Sequence, residues 1–174
     1  MEPCTKDAIR ASVQSFRLPK FEEIPDIGLY LDQTVKYIGE YFAPLQSITL
    51  TPSMVSNYVK RGLIANPVKK RYDRTQIAYL FFIATAKTVL SLEDIQSLIT
   101  LQKGTYDAET AYQYFRREFE NILFFIFGLK DTLDEVGVDS NDEKAMLRNT
   151  IITIAHKIYL DKCFQVLPAE LKDE

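Results

Sequence analysis

From Ala108 to Val136 the apolar residues Ala108, Tyr112, Phe115, Phe119, Ile122, Ile126, Leu129, Leu133 and Val136 recur at steps that alternate four and three without a break. That is a heptad seam kept for four repeats. It predicts one long helix of about 45 Å, provided Gly128 does not interrupt it. Leu123, Phe124, Phe125 and Phe127 add apolar surface off the seam, so the middle of this helix has to be covered on more than one side. Gly137 is the expected stop. Ser140, with Glu143 three residues on, is then expected to cap a last helix whose apolar stripe runs from Met146 and Leu147 through Ile151, Ile152, Ile154, Ala155, Ile158, Tyr159, Cys163 and Phe164. Two stripes this broad cannot satisfy each other as a lone hairpin. They call for cover from the rest of the chain and from a second copy, with a homodimer seam through Tyr112, Phe115, Phe119, Ile122, Ile126, Leu129 and Leu133.

A second stretch, Thr51 to Leu80, reads TPSMVSNYVKRGLIANPVKKRYDRTQIAYL. Thr51 as N-cap and Pro52 at the first helical position start a helix, and Gly62 stops it. Met54, Val55, Tyr58 and Val59 make one buried face; Ser53, Ser56, Asn57, Lys60 and Arg61 make the other. Leu63 and Ile64 turn back inward, and Asn66-Pro67 turns the chain again. Val68 to Tyr72 predicts a minimal two-stranded wing with Lys69, Lys70 and Arg71 at its tip. Asp73, with Gln76 in the capping-box position, starts a helix from Arg74 to about Leu90 that is apolar on nearly every side. Ser91 with Asp94 starts another, from Leu92 to about Gln102, stopped by Gly104.

Charge singles out the same stretch. Residues 51 to 75 hold Lys60, Arg61, Lys69, Lys70, Arg71 and Arg74 against Asp73 alone, a local +5 that leaves −8 on the remainder of a chain with formal net charge −3. A basic patch on an acidic body is the electrostatic footprint of a phosphate backbone partner, although a solvated basic loop has the same composition. Short polar and basic side chains on a helix face can reach base edges and phosphates. The expected contact set is Ser53, Ser56, Asn57, Lys60, Arg61, Lys69, Lys70, Arg71, Tyr72 and Arg74.

Ahead of this stretch, Met1 to Phe16 has some helical spacing and no strong cap, and is expected to be a mobile or partner-dependent arm. Arg17 to Asp26 carries Pro19 and Pro25, which hold it extended as a strap pinned by Phe21 and Ile24. A helix is expected from near Asp26 to Phe42, with Ile27, Tyr30, Leu31, Thr34, Val35, Ile38, Tyr41 and Phe42 as its apolar stripe and Pro44 as its stop. It would be the supporting helix of a helix-turn-helix.

The run SMVSNYVKRGLI, the short basic wing, the RYDRTQIAYL helix start and LSLEDIQSL together resemble the MerR-type winged-helix DNA-binding domain. Most of residues 18 to 103, from LPKFEEIPDIGLYLDQ through PVKKRYDRTQIAYL to VLSLEDI, resembles more closely the domain-of-unknown-function family 1836 of Gram-positive bacteria, itself related to the MerR group. The resemblance implies a bacterial transcriptional regulator. It also implies that Tyr58, Gly62, Leu63 and Ile64 are the buried aromatic and exit of the recognition helix, and that Tyr72 is a wing tyrosine near the DNA backbone. Ser56 stands where typical MerR members carry arginine and Asn57 where they carry an aromatic residue, which shifts the load to Lys60, Arg61 and the wing lysines.

These observations predict an all-α chain: an N-terminal arm over 1–17, a MerR-like winged helix-turn-helix domain with a minimal β wing over 18–104, and a long-helix C-terminal hairpin or bundle over 105–174 for dimerisation. The expected partner is double-stranded DNA, read by a homodimer through helix 52–61 and wing 67–72. The alternative is a protein-interaction module of winged-helix shape that does not bind DNA. Tyr112 to Phe127 reads as core and dimer seam, with a pocket for a small apolar effector as the competing interpretation.

No residue spacing supports an enzyme, a cofactor or a metal site: there is no phosphate loop and no nucleophile–base set, and Cys4 and Cys163 have no ligand partners. His156, the one histidine, is expected to be packed in the last helix. With no apolar run of membrane-spanning length and no secretory leader, a cytoplasmic location is expected.

Overall fold

The helix that reads as apolar on all sides is the axis of the molecule. In the computed structural model, which describes residues 3–136 and 141–166, α4 runs Arg74–Ala86. Its start is the predicted reciprocal cap: Gln76 N donates to Asp73 Oδ1 at 2.8 Å and Asp73 N donates to Gln76 Oε1 at 2.9 Å. Ile77, Leu80, Phe81, Ile83 and Ala86 are wholly buried. α2 (Leu31–Phe42), α6 (Ala108–Ile126) and α7 (Asp142–Gln165) pack around it. Residues 87–90 leave the helix through hydrogen-bonded turns, and α5 (Leu92–Thr105) begins under the Ser91 cap and runs one residue past Gly104.

The first expected helix starts later than its apolar residues imply. Gly28 has φ +72, a left-handed conformation, and a Cβ there would lie 3.1 Å from the Cβ of Arg71. This break turns Leu29–Tyr30 into a strand, β1, which pairs antiparallel with β2 (Arg71–Tyr72) in the register Leu29–Tyr72 and Tyr30–Arg71. α2 therefore begins at Leu31, where Tyr30 N donates to Gln33 Oε1 at 3.0 Å. The two-stranded sheet thus joins β2 to a segment ahead of α2, whereas the two strands expected within Val68 to Tyr72 are reduced to a single Val68–Arg71 bridge. Residues 43–51 connect α2 to α3 (Pro52–Lys60), a link longer than the turn of about three or four residues in a helix-turn-helix.

The N-terminal arm is not free. α1 (Pro3–Ala11) and the turns after it bury Ile9, Val13, Phe16 and Leu18 in the common core. The Phe16 ring meets Phe119 edge-on at 5.6 Å. Leu18 N donates to Glu120 Oε1 at 2.8 Å, and Tyr112 Oη donates to the Pro19 carbonyl at 2.9 Å. Ile24 and Phe21 pin the strap as expected, Ile24 fully and Phe21 partly buried against the Tyr112 ring.

The long helix is about two-thirds of the predicted length. α6 ends at Ile126, where Gly128 at φ +66 allows Leu129 N to donate to the Phe124 carbonyl at 2.8 Å and close the helix. Nineteen residues make a rod of about 28 Å. Leu129 and Leu133 fall outside it, and Leu133 is exposed. Tyr112, Phe115, Phe119 and Ile122 are buried inside the single chain, where Phe115 stacks on Phe119 and meets Phe82 edge-on. Four of the seven predicted seam residues are therefore internal core, covered by α4, α7 and the strap, while Ile126 and Leu129 are half-buried. Among the described residues one cluster of buried side chains runs from Ile9 to Ile158. Asn141 caps α7, its side chain accepting from Lys144 N at 2.8 Å; the expected stop Gly137 and cap Ser140 lie outside the described residues. Among the described residues no helix is long and apolar enough to cross a membrane.

Candidate nucleic-acid interface

α3 has the predicted ends. Thr51 Oγ1 accepts from Met54 N at 3.2 Å, and Pro52 occupies the first turn. Gly62 at φ +76 lets Gly62 N donate to the Val59 carbonyl and Leu63 N to the Tyr58 carbonyl, each at 3.0 Å. Val55 and Tyr58 are buried, with Met54 and Val59 half-buried beside them. Burial raises the Tyr58 phenol above its ordinary range, and its buried oxygen has no hydrogen-bond partner among the described residues. Ser53, Ser56, Asn57, Lys60 and Arg61 all face outward. Two of them are partly committed. Ser56 Oγ donates to the Pro52 carbonyl at 2.9 Å, and Arg61 Nη1 donates to Glu93 Oε1 at 2.7 Å. The Glu93 carboxyl, which accepts its own backbone N–H and then this guanidinium, lies below the usual carboxylate range.

The Lys69-Lys70 turn has unusual backbone geometry. Lys69 and Lys70 have φ of 50° and 64°, and Arg71 N donates to the Val68 carbonyl at 2.9 Å. Two consecutive positive φ values inside a closed two-residue loop define a type I′ hairpin turn, whose preferred residues are Asn-Gly. Lysine at such positions costs about 1–2 kcal/mol each. Both lysines are exposed, and neither has an ion pair or side-chain hydrogen bond among the described residues. Arg71 is held over Tyr30: its guanidinium lies 4.9 Å from the ring centroid, and its Nη1 donates to the Ile27 carbonyl at 3.3 Å.

Two predicted members leave the set. Tyr72 is 4% exposed, since the β1–β2 register turns its ring into the core. Arg74 braces the strap: its Nε donates to the Ile24 carbonyl at 2.9 Å and its guanidinium lies over Phe21. His156, expected to be packed, is exposed on α7. The region also gains residues that periodicity placed elsewhere. Ile27 is 80% exposed, Val68 73% and Tyr30 47%, because the helix that was to bury Ile27 and Tyr30 starts after them. Gly28, directly after Ile27, is the sequence signal that could have moved them to the surface.

Among the described residues no group of three or more histidine, cysteine or carboxylate residues could hold a metal ion. Residues 19–115 match the family described as domain of unknown function (DUF1836), and the chain belongs to that family. The matched span begins at the strap and ends inside α6, so it includes both sides of the Pro19–Tyr112 contact. No curated protein matches the chain, and no solved structure does.

Proposed function

We propose that this member of the DUF1836 family is a DNA-binding transcriptional regulator of MerR-like winged-helix character. It contacts double-stranded DNA through the outer face of α3 and the lysine hairpin that follows it. The carrying observation is the type I′ turn at Lys69-Lys70: two cations with no ion pair among the described residues are displayed at a strained, exposed tip on an otherwise acidic chain. Strain kept at an exposed turn is characteristic of a binding element, because a merely structural hairpin gains by replacing it with Asn-Gly. Lys69 and Lys70 are assigned to phosphates, which set register. Asn57, Ser53 and Lys60 are the α3 side chains available for base edges, and Arg61 joins them on releasing Glu93.

Tyr112, Phe115, Phe119 and Ile122 are spent on the chain's own core, so the homodimer expected to read a palindromic site would have to pair through other surfaces. Selection of bound fragments from a random DNA pool, read by sequencing, is expected to yield a short enriched element whose binding survives competitor DNA at moderate salt. Uniform binding lost in modest salt, or none, would reject the reading. Ile27 and Val68, apolar and exposed beside the tip, favour a protein partner as the second interpretation. Substituting both with serine would then abolish partner capture, whereas under the DNA reading it leaves the salt dependence of DNA binding intact.

A further inference from the structure

The two cations on the α3 face are not equally free. Lys60 is exposed and has no ion pair or side-chain hydrogen bond among the described residues. Arg61 is held from a neighbouring helix: Glu93, 32 positions further on in the first turn of α5, meets its guanidinium at 2.7 Å. The other acidic residue of that turn is committed to the helix cap. Ser91 Oγ donates to Asp94 Oδ2 at 2.6 Å, and Asp94 N donates to Ser91 Oγ at 3.1 Å. Glu93 instead reaches α3, and Arg61 is its one ion-pair partner among the described residues. The Arg61 side chain is 49% exposed and that of Glu93 73%, so the pair can open without disturbing either helix.

Magnitudes decide when it opens. An exposed ion pair of this kind favours the paired state by up to about fivefold. One phosphate contact offers Arg61 about eightfold at 0.1 M salt, but taking it leaves the Glu93 carboxylate bare beside a phosphate backbone. Those two sides nearly balance. A bidentate contact to a guanine edge favours the bound state by roughly five- to 150-fold and tips the exchange.

We infer that Glu93 is a specificity determinant, which withholds Arg61 from phosphates on arbitrary DNA and releases it to a base edge at the recognised site. The inference rests on the DNA-binding reading and adds to it a residue outside α3 and the lysine hairpin. Discrimination arises here from weakening the wrong complexes as well as from strengthening the right one.

The test is Glu93→Gln in the full chain, followed by fluorescence anisotropy across a sodium chloride series. Two labelled duplexes are compared, one of random sequence and one carrying the element enriched from the random pool. On the random duplex, binding should tighten about eightfold at 0.1 M salt, and the slope of log Kobs against log salt should steepen by about 0.9. On the enriched element the slope should stay as it was, so the ratio of specific to random affinity falls by about eightfold. In an Arg61→Gln background, Glu93→Gln should leave both slopes unchanged. The urea midpoint should move little, because Glu93 is mostly exposed. An unchanged slope or weaker binding on the random duplex would overturn the inference, as would equal steepening on both duplexes or steepening that persists without Arg61. Each of those results leaves the DNA-binding reading in place. A pool that yields no enriched element would overturn both.

Discussion

Replacing Lys69-Lys70 with Asn-Gly should move stability and DNA binding in opposite directions. The two lysines sit at φ 50° and 64°, where an L side chain costs about 1–2 kcal/mol per residue. Asparagine tolerates this region better and glycine adopts it without strain, but glycine returns about 0.5–1 kcal/mol through its freer unfolded chain. The net expectation is a gain of about 1 kcal/mol, or roughly 2–4 °C in Tm for a chain of this length. Binding should suffer instead. Each phosphate contact contributes about 0.9 to the slope of log Kobs against log salt, so losing two should flatten the slope by about 1.8. At 0.1 M salt that corresponds to roughly sixty-fold weaker binding. Fluorescence anisotropy of a labelled random-sequence duplex across a sodium chloride series measures the slope. Lys87→Gln with Lys103→Gln serves as the charge-matched control. A more stable variant with an unchanged slope would refute the wing as a DNA contact; a less stable variant would refute the turn geometry itself.

Phe119→Ala should cost about 3–5 kcal/mol in urea unfolding, because the ring is fully buried between Phe16 and Phe115. The loss should not vary with protein concentration, whereas a residue of a dimer seam would show a concentration-dependent midpoint. Arg74→Ala should lower stability by about 1–2 kcal/mol, since it removes the hydrogen bond to the Ile24 carbonyl, and leave the salt slope of DNA binding unchanged. Glu118 gives a pH test. Burial raises its carboxyl above the ordinary glutamate range, against the opposing pull of Arg148 at 2.8 Å, so the folded chain holds the proton more tightly than the unfolded one. Its contribution is complete below about pH 4.3 and is lost as pH rises through the raised value. Glu118→Gln should flatten the stability profile in that window, leaving the slope that Glu120, raised in the same direction, still supplies.

Local chemistry made much of this molecule legible. The caps at Thr51, Asp73 and Ser91 and the stop at Gly62 formed as expected, because each depends on residues within about four positions. Periodicity misled where it had to choose a partner. A heptad seam reports that one helix face is covered, but not whether the cover is a second copy or, as here, α4 and a strap from the same chain. It also continued smoothly past Gly128, since Leu129 still packs against the core from outside the helix. The candidate site divided in the same way. Exposure of the α3 face and the lysines followed from local pattern, whereas Tyr72 and Arg74 depended on pairings with Leu29 and Ile24 more than forty positions away. Two-residue strands such as β1 carry too little alternation to announce themselves.

The strap has a consequence for how the protein is made. Leu18 is bonded to Glu120 and Pro19 to Tyr112, contacts separated by 102 and 93 positions. On the ribosome, α1 through α5 are synthesised before the helix that receives the N-terminus exists. The strap is therefore among the last parts of the described chain to dock. Until α6 is released, Phe16 lacks Phe119 and Leu18 lacks Glu120, so these long-range contacts form late in synthesis.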